Sequence, residues 1–257
     1  MNYNKLHESR MITIAQTEQA MAWLISHGPL IASPPLPIAP LRALVAGGRI
    51  LRLRRGLYLA PDRSNRLPRL PETINLVDPD GYISGHGALM LHGLNDQDIS
   101  RWYSVTTKRG PDIGYGLFKV HFVTSPGQVA ASTTVQLRVD GKRVRLASVA
   151  QAFVDEVLLM PWGLDLPETA KVLRTAIEGG ATTEPELVQL LKRRPSVAAA
   201  RRLGLLLEVI STRPNADLLS MARSNRGLTR LPGNDVYDST WRLYLPRPRA
   251  EIRRGSR

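Results

Sequence analysis

The chain has 257 residues, 43% of them hydrophobic, and a formal charge of +13 with pI near 10.7. That is enough apolar material for one or two cores and rules out a disordered tail, while the charge calls for a polyanionic or acidic partner. Cysteine is absent, so disulfides, thiolate zinc sites, iron–sulfur clusters and a cysteine nucleophile are excluded together.

Residues 1–15 are polar and lack clear periodicity, and read as an irregular arm without the apolar core of a signal peptide. Thr17 and Glu18, followed by Ala20, Met21, Trp23, Leu24 and Ile25 before His27-Gly28, predict a first helix closed by glycine. The next stretch carries Pro29, Pro34, Pro35, Pro37 and Pro40 and leaves little room for a regular second helix.

The most informative run is LRALVAGGRILRLRRGLYLAP, residues 41–61. Pro40 opens a short helix with Leu41, Leu44 and Val45 on one face, and Gly47-Gly48 end it. Leu51 and Leu53 then alternate with Arg52 and Arg54, so a strand here sets leucines inward and guanidinium groups outward. Arg55-Gly56 turns the chain into a returning strand, Leu57 to Leu59. A short helix running into a basic hairpin is the layout of a winged helix-turn-helix. From Arg42 to Arg69 there are also Arg49, Arg52, Arg54, Arg55, Arg63 and Arg66, with Asp62 as the only acid, a density that attracts phosphate. The candidate DNA-binding residues are Arg42 on the helix and Arg49, Arg52, Arg54 and Arg55 on the wing.

Residues 67–73, LPRLPET, read as an extended linker. Ile74 to Val77 fits a buried strand or the start of a helix. Asp80-Gly81 marks a turn, and Ser84 caps a helix from about Gly85 to His92 that Gly93 closes. His86 and His92 are about 240° apart on that helix and cannot chelate one ion from a single face, so they read as packed or surface side chains. From Trp102 to Leu146 the period is two, broken at Gly110-Pro111, Pro126-Gly127 and Asp140-Gly141, which predicts a small antiparallel sheet. Ser148 caps a helix running to Met160, in which Asp155 and Glu156 read as a solvated face. Three further helices and a weaker fourth follow, then the alternating WRLYL, and an arginine-rich tail that reads as disordered.

Catalytic signatures are absent: there is no GxxxxGK(S/T), HExxH, GxSxG or GxGxxG. Asp78 and Asp80 are the best carboxylate pair for a two-metal site, and turn chemistry explains them more simply. No run reaches the roughly 18–20 apolar residues of a membrane span. The expectation is a cytoplasmic, non-enzymatic protein with no cofactor and no metal.

Four segments in order, LVAGGRILRLRRGLYLAP, YISGHGALMLHGL, ASVAQAFVDEV and AARRLGLLLE, resemble the AbiEi family of type IV antitoxins from about residue 40 to 210. The matching positions are Gly48, Arg49, Ile50 and Arg55 to Tyr58; Ser84, Ala88, Leu89, His92 and Gly93; and Arg201, Arg202, Leu203, Gly204, Leu207 and Glu208. The resemblance implies a winged helix-turn-helix that represses its own operon by binding inverted repeats in double-stranded DNA. It also implies a C-terminal domain that counters a nucleotidyltransferase-like toxin. The expected fold class is α+β: a DNA-binding domain at 1–66, a linker at 67–73, an antitoxin-like domain at 74–244 and a tail at 245–257. A stand-alone regulator without a toxin, and a nucleic-acid-processing enzyme, are the alternatives.

Overall fold

A computed structural model of the chain describes residues 3–96, 99–159, 165–231, 233 and 236–256, with side chains from Ile14 onward. The architecture is mixed α and β. Helix α1 runs from Tyr3 to His27 and absorbs the predicted arm from Tyr3 on. Weak periodicity hides its start, yet no glycine or proline interrupts it until Gly28, whose φ of 98° ends it. Strand β1 (Leu30–Ala32) follows, a strand masked in the sequence by the surrounding prolines. Helix α2 (Ile38–Ala46) begins two residues before Pro40, which sits in the first turn, where a missing N–H costs nothing. Strands β2 (Leu51–Arg54) and β3 (Leu57–Leu59) form the hairpin, with Gly56 at φ 74°. The order in this sheet is β1-β3-β2, antiparallel throughout. Ala20, Met21 and Leu24 of α1 pack with Ile31, Leu41, Leu44, Ile50 and Ala60 in a small core.

The predicted linker is corrected. Residues 70–77 form α3 (Leu70–Val77), with Pro71 in its first turn and Leu70 to Ile74 buried. The two prolines that suggest an extended spacer instead precede and open a helix. Then come β4 (Tyr82–Ser84), α4 (Gly85–Leu91), β5 (Arg101–Thr106), β6 (Ile113–Tyr115), β7 (Phe118–Thr124), α5 (Pro126–Ala131), β8 (Thr134–Val139) and β9 (Lys142–Ala147). They build a six-stranded sheet ordered β6-β7-β5-β4-β9-β8. It is mixed rather than antiparallel, because β5–β7 and β4–β9 are parallel pairs, with α5 in the connection from β7 to β8. Period-two patterning locates strands but does not reveal their direction. The Asp140-Gly141 turn is as expected, both residues at positive φ (49° and 80°).

Helix α6 (Val149–Leu159) packs on this sheet, and Met160, its expected end, lies outside the described residues. The expectation of a solvated face is overturned, since every residue from Val149 to Val157 is buried, Asp155 and Glu156 among them. Helices α7 (Leu166–Glu178), α8 (Glu184–Arg193), α9 (Val197–Ser211) and α10 (Ala216–Arg223) follow where predicted. Strands β10 (Thr229–Arg230), β11 (Val236–Asp238) and β12 (Leu243–Leu245) make a small third sheet. The tail is not a loose end: α11 (Arg249–Gly255) docks on α7 with Ile252 buried, and Arg249 donates to Asp238 and to Glu208 at 2.6 Å. Arg257 lies outside the described residues. No helix is long and apolar enough to cross a membrane, among the described residues.

Candidate nucleic-acid interface

The basic hairpin is built by local rules that the sequence carries. Leu53, Leu57 and Leu59 are buried and anchor it, not in the small core but in the large one. The pairing departs from simple alternation at one point. Arg52 pairs with Tyr58 and Arg54 with Leu57, so Leu53 is the extra residue of a bulge that re-aims the end of β2. The arginines on either side of it therefore meet different surroundings.

Arg42 on α2, Arg52 on β2 and Arg55 in the turn are exposed, and none has an acidic partner among the described residues. Arg49 is also exposed but is ion-paired to Glu18 of α1. That hydrogen-bonded pairing holds the Glu18 carboxyl below its usual range and the guanidinium above its own. Arg54 is half-buried and donates to the Pro111 carbonyl at 3.2 Å. Arg66 donates to buried Glu72 at 3.0 Å, and Arg69 pairs with Asp140. The run of arginines thus divides into some committed to internal partners and some facing solvent. Of the five candidate positions, Arg49 and Arg54 belong to the first group, and Arg42, Arg52 and Arg55 to the second. The partners of Arg49 and Arg54 lie 31 and 57 positions away, a distance over which spacing in the sequence carries no signal.

Asp78 caps the end of α3, where Ser104 Oγ donates to it at 3.3 Å, while Asp80 meets Lys108 at 3.4 Å. Both are turn residues as expected. No cluster of three or more His, Asp or Glu suited to a metal occurs among the described residues. His86 lies 3.3 Å from the buried Glu156, and His92 Nε2 is 2.8 Å from the Ala147 carbonyl oxygen, so both histidines are packed. No family model and no curated protein matches the chain.

Two groups of polar residues escape a reading of the sequence. Asp155 is fully buried and accepts four hydrogen bonds: from Tyr82 (2.9 Å), Ser84 (2.6 Å), Gln128 (2.6 Å) and Gln151 (2.8 Å). Burial outweighs these bonds and pushes its carboxyl up to about 6. Ser84 occupies the cap position as expected, but its hydroxyl serves Asp155 rather than the helix. The second group explains the late motif. Buried Arg201 donates to Ala222 O (3.1 Å), Thr229 (3.0 Å) and Asn225 O (2.9 Å), and Arg202 to Val157 O (2.8 Å). Glu208 accepts from Trp241 Nε1 at 2.6 Å, and the Trp241 ring lies directly on Gly204. Those motif residues hold α9 to its neighbours. Only the partners, 21 to 45 positions away, reveal this.

Proposed function

We propose that the protein is a DNA-binding antitoxin and autorepressor of a type IV toxin–antitoxin operon, built on an N-terminal winged helix-turn-helix. What supports the DNA-binding half is one observation: Arg42, Arg52 and Arg55 stay exposed without acidic partners in the described residues, on the helix and hairpin of a three-stranded sheet. Exposed guanidinium groups of this kind bind phosphate and release its condensed counterions. Arg42, on the helix, is placed to add a bidentate contact to guanine, while Arg52 and Arg55 contact the backbone from the wing. The module has one helix between β1 and β2, so α2 serves as the groove-reading helix. The antitoxin half rests on the four AbiEi-like segments.

Fluorescence anisotropy tests this with a labelled duplex from the chain's own upstream region and a scrambled duplex, each over a salt series. The native duplex is expected to bind more tightly, with a steep negative salt slope for both. Replacing Arg52 and Arg55 with alanine should weaken both complexes alike and make the slope shallower by roughly 0.9 for each phosphate no longer neutralised. An unchanged slope would remove the wing from the interface.

A further inference from the structure

A second charged site lies on the six-stranded sheet, away from the hairpin. β5 and β7 run parallel, with Arg101 beside Lys119 and Tyr103 beside His121 in register. Side chains at such positions point to one face, which Tyr103 shares with its antiparallel partner Ser84. Toward β4 that face is covered, since Ser84 reaches Asp155 of α6. Over β5 and β7 it opens into a cleft of about 450 Å³ lined by Arg101, Tyr103, Asp112, Lys119 and His121.

Cations outnumber acids in this cleft, and the single carboxylate is already engaged. His121 Nδ1 lies 2.7 Å from Asp112, which fixes the ring and leaves Nε2 as its remaining polar atom. The Tyr103 ring stacks on it with centroids 5.5 Å apart. Asp112 also meets Lys119 at 3.5 Å, so its charge is shared between two partners. Arg101 has no carboxylate partner among the described residues and lies next to Lys119, a like-charged cross-strand pair that Asp112 offsets on the Lys119 side only. Arg101 and Lys119 stand on neighbouring strands about 4.8 Å apart and end in long flexible side chains, which lets both heads reach one phosphoryl group. The remaining volume accepts the body of a small ligand.

We propose that this cleft binds a phosphate monoester, with Arg101 and Lys119 clamping the phosphoryl oxygens beside the Asp112-held His121 ring. The site is independent of the DNA reading and uses none of its residues. Isothermal titration of the full-length protein with inorganic phosphate, ribose 5-phosphate, adenosine 5′-monophosphate and adenosine tests it. The three phosphates are expected to bind and adenosine is not. Tighter binding of the nucleotide than of ribose 5-phosphate would assign a nucleotide, and equal binding a sugar phosphate. The double variant R101A/K119A should lose at least tenfold in affinity, whereas R213A/R226A, which removes the same charge from exposed positions outside the cleft, should change it less than twofold. Equal losses in the two variants, or no phosphate binding by the wild type, would overturn the proposal. Both cleft residues are exposed, so the fold survives their removal, and duplex affinity measured on R101A/K119A should match the wild type.

Discussion

Asp155 shows how far a single residue's role depends on its surroundings. Its carboxyl has no cationic partner among the described residues, only four neutral donors, so the ionised form is satisfied in hydrogen bonds but poorly solvated. Because its folded value of about 6 lies above the unfolded value of 3.8, the folded state holds the proton more tightly. Its contribution to stability is therefore present at low pH and is lost as pH rises from about 4 to 6, by up to roughly 3 kcal/mol. Asp155→Asn should remove that dependence, because its amide does not titrate and the Tyr82 and Ser84 hydroxyls can turn to accept from it. Urea unfolding at pH 4.5 and 6.5 checks this: the stability advantage of wild type over the variant should shrink with rising pH. A constant difference would show that Asp155 does not titrate in that window. Asp155→Ala, which strands four buried donors, should cost about 3–5 kcal/mol at pH 4.5 and less at pH 6.5, because it too removes the titrating group.

Among the secondary-structure elements, α9 is the clearest case of a helix defined by what it touches. Ser196 caps it by accepting from the Ala199 amide, and its spacing of leucines marks it in the sequence. Gly204 looks in the sequence like a weak point in a helix. In the fold it is a seat for the fully buried Trp241, whose ring would overlap any Cβ added there. Glycine normally costs a helix up to about 1 kcal/mol relative to alanine, so helix propensity alone predicts that Gly204→Ala stabilises. Overpacking decides instead, and the variant is expected to lose about 1–3 kcal/mol, seen as a lower thermal midpoint. A raised midpoint would show that the ring moves aside freely. Helix α11 follows the same logic in reverse. Its arginines suggest a solvated tail, yet Arg249 is tied to Glu208 of α9 and Asp238 of β11.

Across the molecule as a unit, the hairpin joins the proposed DNA-binding module to the rest of the chain. Leu53, Leu57 and Leu59 belong to the large core, Tyr115 donates to the Pro68 carbonyl at 2.8 Å, and Arg54 reaches Pro111. Burial of the three leucines is worth roughly 6 kcal/mol in total, comparable with the stability of a small domain. A fragment ending at Arg66 should therefore lack a cooperative thermal transition by circular dichroism, and the full chain should lose its N-terminal helices and its sheet together. A sharp transition in the fragment would show that the small core of α1 and α2 suffices on its own.

Most element positions were legible in the order of residues, because caps, glycines and hydrophobic period act over a few residues. Such signals located the basic hairpin, the Asp140-Gly141 turn and α6 to α10. They also located the arginines that the DNA reading uses. Pairings across long stretches of chain came from the folded arrangement alone. Those include which arginines are neutralised by Glu18, Glu72 and Asp140, the parallel direction of β5 and β7, the burial of Asp155 and Glu156, and the meeting of Asp112 with His121. A charge reads the same in sequence whether its partner is water or a carboxylate, because its energy depends on distance and local dielectric, and both are set by the fold.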